Sequence, residues 1–334
     1  MDSRTKNRKT KADIARLARC AFGDVGIAAG SITELTAGWF NVIYALRLTD
    51  GRDVILKIAP PADVPVLTYE DNIMSTEVAT LQRLYDEPGI PVPAVLFYDA
   101  TRQLCDADYF FMERVPGKML SDIKADLSTA DLLRIERETG QILCAMNGQT
   151  GPFFGYPGNP NLQGTTWRET FSRMFNALLE DAETVGVSFV VPAEELRQTL
   201  THHASALAEV AAPCLVHWDL WDSNIMVDAG KVTGIIDFER VVWSDPLMEA
   251  QFRLLPEQGI TESMRAYGKT EFTESERRRC ELYSVYLGMI MCIESKYRAY
   301  DSDEVATLGA GFMARALRRL GSQHALAPAE SVKP

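Results

Sequence analysis

An aspartate, an asparagine five residues later and a second aspartate thirteen beyond that form the chemistry-bearing core of this sequence: Asp219, Asn224 and Asp237. The first two lie in His217-Trp218-Asp219-Leu220-Trp221-Asp222-Ser223-Asn224, the third in Ile236-Asp237-Phe238-Glu239. Apolar runs at 214–216, 225–227 and 232–236 read as strands, with Asp228-Ala229-Gly230 as the turn between the last two. That order sets three oxygen-bearing side chains around one point at the rim of a small hairpin. Phosphoryl transfer needs such a set: one carboxylate to orient an attacking hydroxyl, and an amide with a second carboxylate to hold magnesium on the phosphates. The plainer reading is a hairpin with ordinary turn residues, because Asp and Asn favour turns for local hydrogen-bonding reasons. The second aspartate, at the end of an apolar strand, favours the metal site.

A phosphoryl-transfer centre needs a place for a nucleotide, and three features upstream offer one. Thr36-Ala37-Gly38-Trp39-Phe40-Asn41 lies between two strand-like runs, where a loop can present backbone N–H groups to phosphate oxygens. Lys57 interrupts the apolar strand Val54-Ile55-Leu56-Lys57-Ile58, where an ammonium can reach the α- and β-phosphates. Glu77 follows on the next helical segment, placed to give that lysine a counter-charge. Each feature has a bland alternative: a hairpin loop, a solvent-facing lysine, a surface glutamate. Their order before residues 217–239 makes them one constellation.

The elements that must position these groups fall into two halves. A basic arm and a short helix, 12–22, open the chain. Strands at 31–35, 41–48 and 52–58, a helix over 72–85 with apolar Ile73, Val78, Leu81 and Leu84, and strands at 94–98 and 109–115 predict a small antiparallel sheet with one helix across it. From Ser128 the pattern is helical: 128–146, 167–183, 193–211, 246–255, 261–267, 273–300 and 303–320, with a Gly-, Pro- and Asn-rich loop over 148–165. Residues 1–115 therefore read as an N-terminal lobe, 116–325 as a C-terminal lobe and 326–334 as a frayed tail.

With these residues in place, the chain resembles the aminoglycoside phosphotransferase and choline kinase-like family, within the wider protein-kinase-like fold, over about residues 25–300. The anchors are the 217–224 and 236–239 motifs with Asp245-Pro246; Phe111-Met112-Glu113-Arg114-Val115-Pro116-Gly117 looks like the family's hinge between lobes. The resemblance implies an α+β, two-lobed fold and a kinase using ATP (or GTP) with Mg2+. It implies Asp219 as the catalytic carboxylate, Asn224 and Asp237 as magnesium ligands, and Lys57, paired with Glu77, as the phosphate clamp. Gly38 and Asn41 would lie on the nucleotide loop, and Met112, Glu113 and Val115 at the adenine edge. His217 would brace the loop, and Asp245 would anchor the catalytic-loop backbone. Two positions depart from the pattern. The family often has Gly after the histidine, where this chain has Trp218. Protein kinases carry a basic residue two after the catalytic Asp, where this chain has Trp221, so charge stabilisation is expected to rest on metal and Lys57.

Seven residues separate Asp237 from Asp245, too few for the segment on which protein kinases dock a peptide, so the expected acceptor is a small molecule. Trp218, Trp221 and Trp243 are candidates for stacking on it, and Asp222, Glu257 and Glu294 for binding amines. An antibiotic of the aminoglycoside type leads; choline, a sugar or an amino alcohol is the alternative, and a non-catalytic pseudokinase the third reading. The intact Lys57, Asp219, Asn224 and Asp237 argue against the last.

Composition sets the outer bounds. The chain has 334 residues, 46% hydrophobic and 24% charged, with a net charge of −12 that disfavours nucleic acid. No apolar run reaches the 18 or so residues of a membrane span, and no obligate protein partner is evident. Six cysteines stand without C-x-x-C pairing, which points to a reducing cytoplasm.

Overall fold

The computed structural model describes residues 3–322 apart from Ala37, Trp39 and Leu254; the tail expected at 326–334 lies outside the described residues. A capping box between Thr10 and Asp13 starts α1 (Lys11–Phe22). Strands β1 (Thr33–Leu35), β2 (Val42–Arg47) and β3 (Asp53–Ile58) precede α2 (Ile73–Leu84), and β4 (Val95–Asp99) and β5 (Tyr109–Glu113) follow it. They form an antiparallel five-stranded sheet in the order β1-β2-β3-β5-β4.

This sheet has a helix on each face rather than the single helix the pattern suggested. Alternate residues of β3 point opposite ways. Val54, Leu56 and Ile58 pack under Ile14 and Leu17 of α1, and Ile55 packs with Met74, Val78 and Leu81 of α2. Both faces are buried, so β3 reads as a continuous apolar run with no visible alternation. Lys57 shares the α2 face with Ile55, which aims it at the interior.

Short β6 (Lys118–Met119) leads from the inter-lobe connection into α3 (Leu120–Ile123) and α4 (Thr129–Asn147). Two-residue strands β7 (Phe154–Gly155) and β8 (Gln163–Gly164) interrupt the expected 148–165 loop, before α5 (Trp167–Val185) and α6 (Ala193–Leu207). Then come β9 (Cys214–Val216), β10 (Ile225–Asp228), β11 (Lys231–Ile235) and β12 (Val242–Ser244). The β10–β11 hairpin pairs with β6, whereas β9 joins β12, β7 and β8. The three apolar runs around the motifs thus belong to two sheets, and residues 217–224 cross from one to the other. The predicted 246–255 helix is a 3-10 turn, Pro246–Met248, followed by one-turn α7 (Ala250–Arg253) and α8 (Leu255–Gln258). After α9 (Glu262–Tyr267), α10 (Glu274–Tyr297) and α11 (Glu304–Arg319) complete the helical lobe. Its core is aromatic, with Trp167, Phe171, Phe175, Tyr283 and Tyr286 fully buried.

Candidate active site

Residues 217–224 are held from below by a carboxylate the sequence reading missed. Glu249, fully buried, accepts the backbone N–H of His217 at 2.9 Å and of Trp218 at 3.2 Å. This is the anchoring role expected of Asp245. Asp245 instead accepts Arg279 Nε and the Tyr283 hydroxyl, each at 2.7 Å, and caps its own 3-10 turn through Leu247 N–H. The 3-10 turn separates the two acids and carries Asp245 towards α10, leaving Glu249 beneath the loop. Burial raises the Glu249 carboxyl pKa, which the donors around it partly offset.

His217 has both ring nitrogens engaged: Nδ1 accepts the Asp219 N–H at 3.3 Å, and Nε2 lies 3.0 Å from the Ile236 carbonyl. That pattern fits a neutral Nε2–H tautomer bridging the loop to the end of β11. Trp218 next to it has φ 71, the left-handed region that glycine enters most easily. The indole is fully buried against Tyr286, with the Arg253 guanidinium 4.3 Å from its ring centre. Trp218 is therefore a core residue and not an acceptor contact. Trp243 is also withdrawn: it is 7% exposed on β12, with Arg83 over its ring and Gly151 leaving it room. The sequence shows three tryptophans close together, but their backbone directions send two of them into packing. Trp221 alone stays at the site, its indole N–H donating to Asp219 Oδ1 at 2.9 Å.

Asn224 donates its amide to the Asp219 carbonyl at 2.8 Å, which orients its oxygen away from that bond. Its own carbonyl takes the Ile236 N–H at 3.1 Å, tying it to the strand end that carries Asp237. Asp237 has φ 69 and ψ 57, a conformation Asp tolerates better than most side chains. It turns its carboxylate to Lys57, with Oδ1 2.6 Å from Nζ. Lys57 also meets Glu77 Oε2 at 2.7 Å and Glu239 Oε2 at 3.4 Å. Burial alone would lower the lysine pKa; the three carboxylates outweigh it and keep the ammonium charged. Glu239 is pushed up to about 8 by burial and by its neighbour Asp237. Carboxylate oxygens of Glu77, Asp237 and Glu239 lie within 4.8 Å of one another. With Glu239 largely protonated near neutral pH, Glu77 and Asp237 still outnumber the one lysine, and this set of oxygens with the Asn224 amide suits a divalent cation.

Arg240 is the second group that sequence reasoning passed over. Its Nε lies 4.0 Å from Asp219 Oδ2, while Nη2 binds Glu294 at 2.8 Å. A fixed cation thus stands beside Asp219, where Lys57 and a metal alone were expected. The signal available was an arginine directly after Ile-Asp-Phe-Glu, where a buried position gives a charged residue little reason to be present. Glu294 is also bound to Arg298, and Glu257 to Arg315 and Arg319, so neither stands free for an amine.

Gly38, Phe40 and Asn41 are held by the basic N-terminal arm. Thr5 Oγ1 donates to the Phe40 carbonyl at 2.9 Å, and Lys6 Nζ to the carbonyls of Gly38 and Asn41. Asn41, 2% exposed, turns its amide inward to Glu239 at 2.6 Å. The same arm reaches α10, where the Arg4 N–H donates to the Arg298 carbonyl at 3.2 Å. At the inter-lobe connection, Met112 is buried in β5, and the Glu113 and Arg114 N–H groups are taken by the Ala94 and Asp53 carbonyls. Val115 packs on Gly234, where a Cβ would come within 2.6 Å of its Cγ1. Asp222 pairs with Lys124 at 2.7 Å.

Comparison with known proteins places this geometry. The structure superposes on a thermostable aminoglycoside phosphotransferase APH(4)-Ia in ternary complex with AMP-PNP and hygromycin B, with a TM-score of 0.66 and 19% identity, covering 93% of this chain and 99% of that one. It superposes on a protein assigned as a fructosamine-3-kinase from Thermobifida fusca YX-ER1 with a TM-score of 0.64 and 20% identity, covering 91% and 98%. At such identity the likeness establishes the two-lobed kinase-like fold. Two Aspergillus fumigatus proteins, both called subtelomeric hrmA-associated cluster proteins, are 35% identical over 102 residues, 30% of this chain. The chain spans only 19% of their length. The model of the phosphotransferase enzyme family, APH, matches residues 31–271, well over half of the sequence, and the chain belongs to that family.

Proposed function

We propose that this phosphotransferase moves the γ-phosphate of ATP or GTP to a hydroxyl of a small molecule. The observation that carries the reading is Lys57, held at 2.7 Å by Glu77 and at 2.6 Å by Asp237, at the site where Asp219 and Asn224 are fixed by the same loop. Asp219 orients the acceptor hydroxyl and takes its proton as the oxygen bonds to γ-phosphorus, while the bond from that phosphorus to the β–γ bridging oxygen breaks and the nucleoside diphosphate leaves. Trp221 occupies Oδ1 of Asp219, which leaves Oδ2, the oxygen nearer Arg240, for the proton. Asn224 and Asp237 would hold Mg2+, whose contribution when bound is to neutralise charge on the phosphates. Lys57 steadies the α- and β-phosphates, and the 112–115 connection borders the adenine.

Residues 238–244 form a 3-10 turn and β12 within the fold, which favours a small acceptor over a peptide. An aminoglycoside-like or other antibiotic is the leading acceptor class. That choice is supported by the fold shared with a hygromycin B complex. A metabolic acceptor such as a sugar or amino alcohol is the alternative, supported by the likeness to the Thermobifida protein. Six free cysteines fit a reducing cytoplasm, and no helix among the described residues is long and apolar enough to cross a membrane.

The test is Asp219→Asn, which keeps size and hydrogen bonding but removes the charge. Turnover with an accepted substrate should fall by roughly two to four orders of magnitude, with nucleotide affinity nearly unchanged. Loss of nucleotide binding with normal chemistry per bound complex would make Asp219 a metal or structural residue.

A further inference from the structure

From Ser3 to Lys9 the N-terminal arm touches both lobes before α1 begins. At its front it meets the end of α10, where the last carbonyls of a helix have no partner within the helix. The Arg4 N–H and the Ser3 hydroxyl donate to the Arg298 carbonyl at 3.2 and 3.1 Å, and the Arg4 guanidinium donates to the carbonyls of Lys296 and Tyr297. A cation there also suits the negative pole of a 24-residue helix. Next along the arm, Thr5 donates to the Phe40 carbonyl and Lys6 to those of Gly38 and Asn41. Asn7 and Lys9 then fix the arm to the sheet lobe through Asp106, at 2.9 and 2.6 Å. The covalent connection between the lobes is thus supplemented by a second, non-covalent one.

Other contacts between the lobes differ in kind. Ahead of α2, Leu67 and Tyr69 are sunk in the core of the helical lobe. Thr68 donates its N–H and hydroxyl to Asp181 of α5 at 2.9 and 2.7 Å, and Glu70 binds Arg298 at 2.5 Å. Met74, Val78 and Leu81 of α2 pack on Ile55 of β3, so this helix is rooted in both lobes. The nucleotide loop has a lighter hold on the helical lobe. Its Asn41 amide donates to Glu239 at 2.6 Å, and its Phe40 ring lies 4.9 Å from the Arg298 guanidinium carbon. Regions held by a few polar contacts open before regions held by a packed core. Movement is therefore left to the loop end of the sheet, and the arm lies across it.

Resting on the phosphotransferase reading, we propose that residues 3–6 are a strap that holds the nucleotide loop closed against α10, and that its release from the helix end sets the rate at which nucleotide leaves. Thr5 and Lys6 grip the loop by its backbone carbonyls, so strap and loop move as one unit. Letting go of the carbonyls at 296–298 frees that unit from the helical lobe and leaves α2 in place.

Release of mant-ADP bound with Mg2+, chased by unlabelled ATP in stopped flow, tests this on the full chain. Ser3→Ala combined with Arg4→Ala removes the side-chain grip on α10 and leaves Thr5 and Lys6 on the loop. The release rate should rise about tenfold, with association within about twofold of wild type and the melting temperature unchanged. In nucleotide-free protein, amide exchange should quicken at Phe40 and Asn41 and stay the same in α10. An unchanged release rate, weaker binding that comes from association instead, or exchange indifferent to the double variant would each overturn the strap. Wild-type chain that binds neither Mg·ADP nor Mg·AMP-PNP would sink the phosphotransferase reading, and exchange at Phe40 and Asn41 would still decide whether the arm holds the loop to α10.

Discussion

Two charged clusters adjoin at the neighbouring residues Glu239 and Arg240, and they are built on opposite principles. On the β3 side, Lys57 alone faces Glu77, Asp237 and Glu239. On the α10 side, Arg240 and Arg298 are matched by Glu70 and Glu294. The first cluster has more acids than cations and would be completed by a cation from outside; the second pairs two arginines with two glutamates. Lys57 and Glu77 are as buried as Arg298 and Glu70, with only Asp237 a third exposed, so burial hardly separates the two clusters. The charge count does: an excess left standing in a low-dielectric interior is costly unless something arrives to use it.

The largest contrast comes from removing one acid from each cluster. Asp237→Ala should abolish turnover and the strengthening of nucleotide binding by magnesium. Its melting temperature should hold, because Lys57 keeps Glu77 and Glu239; near-normal turnover would refute the metal assignment. Glu294→Gln strips the buried Arg240 of its close partner, while Arg298 keeps Glu70, and should destabilise the fold by about 3 kcal/mol. A melting temperature unchanged in that variant would show the second cluster to be less self-contained than its geometry states.

A smaller effect is expected at the loop that borders the acidic cluster. Lys6→Ala frees the Gly38 and Asn41 carbonyls, and an untethered loop lowers the fraction of molecules ready to bind. The Mg·AMP-PNP affinity should fall about fivefold, with Lys6→Arg restoring most of it. Equal affinities by calorimetry would mean the arm only packs.

The smallest effect concerns Glu281, a buried acid with one distant cation, Arg319 at 3.4 Å. Burial lifts its carboxyl to about 7, from 4.5, against the opposing pull of Arg319. The native state then binds more protons than the unfolded chain between those values, so stability falls as pH rises through that window. Glu281→Gln should raise the melting temperature by about 2–4 °C at pH 8 and hardly at all near pH 4. An equal shift at both pH values would exclude the titration.

The sequence announced the lobes and long helices because their apolar periods are long and undisturbed. The resemblance drawn from residues 217–224 and 236–239 holds, as the family match and the fold show. What it hid is local. Strands β6, β7, β8 and β12 are two or three residues long, too short for a period of two to register. Glu249 and Arg240 look like unremarkable charges along the chain and acquire meaning only when folding buries them. The tryptophans misled for the reverse reason: proximity in sequence says nothing of direction, and a positive φ at Trp218 turns its ring from Asp219 into the core.

That residue also constrains how the family can drift around this chain. Trp218 is tolerable in a glycine's conformation because Arg253 stacks on its ring and donates from Nη1 and Nη2 to its carbonyl. Substitution by glycine would relax the backbone but empty the space of a buried indole, at about 3–5 kcal/mol, and leave the Arg253 guanidinium with only the Trp221 ring, 5.2 Å away. Replacing Arg253 first would remove the support for the left-handed tryptophan. Neither single step is neutral, so the two positions form an epistatic pair.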